Sequence, residues 1–435
     1  MNIKPRERTA ILQSLGAGVV PRIGLHHIQV GRKVELEGLI NDLARIEEGA
    51  ATIRFVIGRF GSGKSFFLNL VRTVAIERKF VIAQADITLD RRLHGSGAAK
   101  ALYTELVNGF STRAKPDGGA MPGLVERFVS DVSAKLGEGA DAGAIEAAVG
   151  KVLHPLLDLT HGSSFARVLA RYVEGFARHN EKLVNCATRW LRGEYGTKTE
   201  AREDLGVRDI IEDANLYDML KVWSKFVRVA GYSGLLVNLD EMVVLSERLN
   251  NAPARTKNYE VILQILNDCL QGGVSGLGFC FAGTEEFLTD RRRGLSSYEA
   301  LATRLADNPF ASAKLVDTKG PVIRLLPLTK EDLFVLLERI AQVQATGLPE
   351  KVLVKQSDLI RFMAFCEKRL GSEHFLTPRD TVKQFVGLLN VLEQNPGRTL
   401  DDVLGGIAQE APAPSSPPQT PGNAGQGDNL AQFTL

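Results

Sequence analysis

Across 435 residues there are only four cysteines, Cys186, Cys269, Cys280 and Cys366, far apart and without a CxxC pair. That spacing argues against a zinc or disulfide framework and reads as reduced thiols packed as small hydrophobes. The seven histidines are equally scattered apart from His26-His27, so no metal-ligand spacing is present and no metal held by protein side chains alone is expected. No stretch approaches the run of about 18 apolar residues that a membrane-spanning helix needs. An excess of one charge sign is missing too: 53 basic against 51 acidic residues leave a formal +2. This excludes a polybasic nucleic-acid coat or an acidic tail protein and leaves room for a local basic patch. The opening MNIKPRERTAILQ is charged and has no signal-peptide core, so a cytoplasmic protein is expected.

What is present is an ordinary globular composition, 44% hydrophobic and 24% charged, with length enough for two or three domains. Residues 20–32 read as a loop leading into a helix at 33–46, where Leu36, Leu39, Ile40 and Leu43 recur at helical spacing. ATIRFVIG (51–58) is a strand by its β-branched content, and a glycine-rich turn follows. Residues 64–79 form a helix with Phe67, Leu68, Val71 and Val74 on one side, and FVIAQADI (80–87) is a second strand. Strand, loop, helix and strand in that order indicate a parallel α/β sheet. Residues 94–230 are almost wholly helical, with turns at 115–119, 137–143 and 193–200. Strand patterning then resumes at 234–241, 276–284 and 321–328, so the helices read as an insertion between strands. The expected organisation is a lead-in segment and helix at 1–50, a core at 51–328 with the insertion at about 94–230, a helical lid at 329–409 and a disordered tail at 410–435. The final NLAQFTL is read as a frayed end or a small docking peptide.

The strongest chemical signal is Gly58-Arg59-Phe60-Gly61-Ser62-Gly63-Lys64-Ser65, which fits GxxxxGK[ST] throughout. A chance match in a chain this long has a probability on the order of 10⁻², and its place between a strand and an amphipathic helix lowers that further. The glycines let backbone N–H groups turn inward around phosphates, and the helix starting near Lys64 adds its positive dipole end. Lys64 is expected to reach the β- and γ-phosphates and the Ser65 hydroxyl to hold Mg²⁺, with Ser62 and Phe66 completing the nucleotide contacts. LLVNLDE is the second element: a buried strand delivers Asp240 to the metal and sets Glu241 beside it, where it can orient or deprotonate a water.

Three further residues are candidates. Thr284, at the tip of the strand FCFAG, reads either as a sensor of the γ-phosphate or as the N-cap of the helix beginning EEFL. Arg304 reads either as an arginine finger directed at a neighbouring subunit or as a surface ion-pair residue. Arg379 follows Thr377-Pro378 at a helix start, with Asp380 completing a cap-like pattern, and reads as a lid arginine or as a solvent-facing one. Arg291-Arg292-Arg293 reads as a solvated or nucleic-acid-facing loop. His26 and His27 precede GRKVEL, which resembles the GRxxEL entry of several P-loop ATPase groups; that resemblance implies an adenine-lining segment with one histidine on the base, and packed neutral histidines are the simpler reading.

In this order the elements resemble AAA+-like P-loop ATPases of the origin-recognition and STAND neighbourhood, which implies an α/β parallel core, a sensor strand and a helical lid. IGLHHIQVGR, FVIGRFGSGKSFFL, DRRLHG, LVNLDE, AGTEEFL and LTPRD look more specifically like the ATP-binding proteins of bacteriophage-exclusion (BREX) systems, the BrxD-like family, over residues 21–396. The resemblance implies a cytoplasmic bacterial defence protein that binds ATP and Mg²⁺, hydrolyses ATP, associates into a homo-oligomer and works beside other defence proteins on DNA. It implies Gly58, Gly61, Gly63, Lys64 and Ser65 for the phosphates and metal, Asp240 and Glu241 for the acidic strand, and Thr284, Arg304 and Arg379 as supporting residues. The chain ends soon after the expected lid, without room for the winged-helix domain of origin-binding relatives, so DNA contact is expected to be indirect or non-specific. The competing expectation is a nucleotide-dependent switch or adaptor with slow or absent hydrolysis. A small-molecule phosphotransferase is disfavoured because no acceptor-site motif is visible.

Overall fold

The structure, a computed structural model, describes residues 3–136, 142–310, 317–370 and 377–409. The tail expected at 410–435 and most of the turn at 137–143 lie outside them. Five strands, β1 (Ala51–Ile57), β2 (Val81–Asp86), β3 (Leu235–Asp240), β4 (Leu277–Gly283) and β5 (Val322–Arg324), pair in parallel in the order β2-β3-β4-β1-β5. β1 and β4 are interior and buried along their whole length, which is why both read as near-continuous apolar runs. Residues 321–328 were expected to be a strand, yet only Val322–Arg324 pair. Beyond Arg324 the Leu325 N–H still reaches the Ile57 carbonyl at 2.7 Å, but Arg32 then takes the Leu326 carbonyl and Pro327 has no N–H to donate.

Alternation along the strands separates two cores. Ile53, Phe55 and Ile57 of β1, with Val237 and Leu239 of β3 and Phe279 and Phe281 of β4, face the helices that lie between β2 and β3. Val56, Ile82, Leu236 and Cys280 face the opposite way, onto helices Lys33–Glu47 and Lys64–Glu77. On that second face Arg54 of β1 makes a buried two-pronged pair with Asp42, one arm at 2.9 Å, tying helix Lys33–Glu47 to the sheet. All four cysteines are free and buried.

A third apolar cluster joins the two ends of the described chain. Helix Pro5–Gly16, which the sequence did not signal, inserts Ile11 and Leu12 among Leu337, Ile340, Phe385 and Leu389 of helices Lys330–Gln344 and Pro378–Gln394. Arg8 secures it, donating to the Gln344 carbonyl and to Glu393, each at 2.7 Å. The segment read as a loop before residue 33 contains a short helix, Leu25–Ile28, entered through Gly24 in the left-handed region.

Candidate functional site

β1 ends at Ile57 and the chain turns through Gly58–Gly63 before helix Lys64–Glu77 begins. Gly61 and Gly63 sit at φ +74° and +91°, the left-handed region that a Cβ disfavours. At Gly61 there is a second reason for glycine: an added Cβ would lie 2.6 Å from Cβ of Thr377. No side chain caps the following helix, so its first N–H groups and its positive dipole end face the turn. Lys64 Nζ curls over this turn, donating to the carbonyls of Gly58 at 2.8 Å and Arg59 at 3.0 Å, with the Phe60 ring centroid 5.4 Å away. Burial pulls the Lys64 ammonium below its usual value, against the opposing pull of Asp240 and Glu241. Ser62 is buried and its hydroxyl oxygen has no protein partner.

β3 carries the acids to the same place. Ser65 Oγ donates to Asp240 Oδ2 at 2.6 Å, and the Glu241 N–H donates to Asp240 Oδ1 at 2.8 Å. Glu241 is held at φ +56°, a conformation costing a non-glycine residue roughly 1–2 kcal/mol. Such strain persists where the surroundings over-determine it, often at functional positions. Partial burial, Asp240 and Asp86 together raise the Glu241 carboxyl above its ordinary range. Asp86 is an acid that the sequence reading missed: it ends β2 in register with Asp240, and burial plus Asp240 raise its carboxyl as well. The signal was available, since a strand ending in an acid was visible in both FVIAQADI and LLVNLDE.

All of these groups but Asp86 line one open cleft of about 1340 Å³, solvent at its mouth included. Lys64, Ser65, Asp240, Glu241, Thr284 and Arg379 line its polar part, and Ser62 and Phe66 line it too. Leu15, Val19, Ile28, Val30, Leu336 and Val382 line an apolar part, assembled from the N-terminal helix region and the C-terminal helices. A mixed lining of this kind suits a ligand with a flat apolar moiety and a charged tail. Thr284 is almost fully buried and caps helix Glu285–Thr289, accepting from the Phe287 N–H at 3.3 Å, while also lining the cleft, so both roles read for it are compatible. Arg379 stands at the start of helix Pro378–Gln394, capped by Thr377, which accepts from the Asp380 N–H at 3.3 Å. Arg32 braces the turn from the side, its guanidinium donating to the Ser62 carbonyl at 3.3 Å.

Arg304 and the two histidines lie outside the cleft lining. Arg304, the last residue of helix Glu299–Arg304, is exposed, donates to the Ala300 carbonyl of its own helix at 2.9 Å and does not line the cleft. His27 is buried with Nε2 3.4 Å from Glu7 Oε2, and neither it nor His26 lines the cleft.

The donor set fits both implied ligands. Ser65 and Asp240 present a hydroxyl and a carboxylate oxygen on one point, hard donors of the kind Mg²⁺ takes alongside phosphate oxygens and waters. Lys64, the left-handed glycines and the uncapped helix start supply the cradle a polyphosphate needs.

The family model described as BREX system ATP-binding protein BrxC/D matches residues 3–407. No curated protein and no solved structure matches the chain. The chain therefore belongs to the BrxC/D family, an ATP-binding protein family of the BREX anti-phage defence system.

Proposed function

We propose that this BREX-family ATP-binding protein is an ATP hydrolase whose sheet is the core of a P-loop NTPase of the AAA+ type, with residues 94–230 as an insertion and the helices after 329 as a lid. The observation that carries the reading is the 2.6 Å contact between Ser65 and Asp240, which unites two motifs 175 positions apart at the mouth of one cleft. When bound with the nucleotide, Mg²⁺ supplies positive charge to the phosphate oxygens. Lys64 adds charge from the other side, and the turn N–H groups hold the phosphates in place. Glu241, beside the metal-binding pair and with its carboxyl raised, is suited to take a proton from an attacking water. On this reading Thr284, which lines the cleft, holds that water or a phosphate oxygen, and Arg379, which lines it too, brings the lid onto the phosphates.

Arg304, exposed and outside the lining of its own cleft, suits the role of a finger offered to a second copy of the chain. On this reading the protein associates on ATP binding and uses turnover to remodel a defence complex in the cytoplasm. DNA is then met through partners or through exposed basic residues such as Arg291 and Arg292.

The test is nucleotide binding by fluorescence together with phosphate release. Lys64→Ala is expected to weaken ATP binding roughly 10- to 100-fold, the loss of charge-assisted hydrogen bonds worth about 1.5–3 kcal/mol. Glu241→Gln is expected to keep ATP binding and lower turnover by about 10²–10⁴. Turnover unchanged in Glu241→Gln overturns the assignment of the base. Tight ATP binding with no turnover in the unmodified protein, with and without DNA, favours the non-hydrolysing switch.

A further inference from the structure

Directly beneath the metal-binding pair lies a second polar layer that no motif announces. Asn238 of β3 is completely buried, and neither its Oδ1 nor its Nδ2 has a protein partner. In register it stands between Gln84 of β2 and Cys280 of β4. Strand side chains alternate, so Asn238 shares a face with Asp240, and Gln84 shares one with Asp86. On the facing helix Asn69 follows Ser65 by one turn, and so lies on the same side. The Gln84 amide N–H donates to Asn69 Oδ1 at 3.5 Å, while Gln84 Oε1 has no protein partner. The layer Ser65, Asp240, Asp86 is thus repeated one step deeper as Asn69, Asn238, Gln84.

The surroundings of this layer are apolar: Ile82, Leu236, Leu68 and Cys280 belong to the same cluster. Leucine would pack there without leaving an amide unpaired, and an unpaired buried amide works against folding. Asn238 is therefore kept for something other than stability. The demand comes from Asp240. Its Oδ2 accepts from the Ser65 hydroxyl and its Oδ1 from the Glu241 N–H. Each carboxylate oxygen has a further lone pair, so a donor from below can hold the carboxylate in place while the Ser65 hydroxyl still donates to it. Asn238 is two residues back along the strand, about 6.6 Å at ~3.3 Å per residue. Two hydrogen bonds of ~2.8 Å through one water span up to about 5.6 Å, which joins the two side chains where they lean toward each other along the strand.

We propose that Asn238 is a positioning residue which, with Gln84 and Asn69, holds a water beneath Asp240 and orients its carboxylate for the metal. The proposal rests on the Mg²⁺–nucleotide reading above. The experiment is a Mg²⁺ titration of fluorescent-ATP binding to the full-length protein, with thermal melts of the same samples. Asn238→Leu is expected to melt at the same temperature as the unmodified chain or higher, and to bind nucleotide in EDTA within about twofold of it. Its half-saturating Mg²⁺ concentration is expected to rise about tenfold, the effect of removing an outer partner of a metal ligand. Gln84→Leu is expected to shift it in the same direction by less, and Asn238→Ser, which leaves a hydroxyl and room for water, to restore part of it. An unchanged Mg²⁺ requirement in both leucine variants overturns the proposal, as does an equal loss of binding with and without Mg²⁺. If nucleotide binding by the unmodified chain ignores Mg²⁺, the functional reading fails, and this inference with it. If the unmodified chain responds and the leucine variants respond identically, this inference alone fails.

Discussion

In the helices between β2 and β3 three large aromatic side chains, Tyr103, Trp190 and Trp223, find partners for their polar atoms, while the buried Tyr217 hydroxyl has none. Trp223 Nε1 donates to the Tyr103 hydroxyl, which donates to the Leu191 carbonyl, both at 2.8 Å, and Trp190 Nε1 donates to the Asp209 carbonyl at 2.7 Å. Phe165 packs edge-on against Trp223 and Phe226 at 5.1 and 5.4 Å. At the cleft, on the C-terminal ends of the same strands, the pattern reverses. Asn238 and the Ser62 hydroxyl have no protein partner, Glu241 is held in a left-handed conformation, and Asp86, Asp240 and Glu241 are crowded together. The first region is built as a protein interior is, for density, with most of its buried polar atoms paired and the Tyr217 hydroxyl and Arg192 Nε as exceptions. The second retains charge, strain and unpaired polar atoms that a ligand can satisfy. A stability-driven region and a ligand-driven region therefore share one sheet.

The contrast can be broken first at its stable end. Trp223→Ala removes the centre of the aromatic cluster and is expected to cost about 3–5 kcal/mol, read as a drop in denaturation midpoint. Nucleotide affinity of the protein that remains folded should be nearly unchanged. A selective loss of ATP binding at full stability would show that the helices belong to the site rather than to its support.

A smaller effect separates two threonines that each cap a helix. Thr329 caps helix Lys330–Gln344 at 3.0 Å in a reciprocal capping box, and Thr284 caps helix Glu285–Thr289 at 3.3 Å. Alanine at either position is expected to cost about 1 kcal/mol of stability. Only Thr284→Ala should also slow phosphate release, and equal turnover in the two variants would reduce Thr284 to a cap.

The smallest effect has a distinctive sign. Glu241 titrates higher in the folded chain than in the unfolded one, so the folded state holds its proton more tightly. Its ionisation therefore weakens the fold: the penalty is absent below the ordinary carboxylate range, near pH 4, and grows as pH rises through the folded value. Glu241→Gln should raise the melting temperature slightly at neutral and mildly alkaline pH, by an amount worth less than about 1 kcal/mol because the side chain is solvent-facing. The difference should close on acidification. A variant less stable than the unmodified chain at neutral pH would place Glu241 in the stable region of the comparison.

How much of this was legible depends on distance along the chain. The glycine-rich turn, the helix behind it and the acidic strand were readable because each is a local pattern with its own physical logic: left-handed glycines, an uncapped helix start, a buried strand ending in acids. The caps at Thr377 and Thr284 were readable for the same reason. Helix Pro5–Gly16 left only a faint trace, a proline and an acid in its first turn, since a short charged helix acquires its stability by packing and most of its apolar partners lie more than 300 residues away.

By itself the sequence determined the chemistry on offer: a lysine and a serine after a phosphate-type turn, two acids after an apolar strand, and strand and helix segments patterned for a parallel sheet. Only the tertiary structure decided which of these meet. It set Asp86 beside Asp240 through strand register, placed Thr377 against Gly61, kept Arg304 outside the cleft lining and buried Asn238 two residues behind Asp240. The reason is physical: backbone propensity and capping act over a few residues, whereas register, burial and electrostatic coupling depend on which distant segments the packed sheet brings side by side.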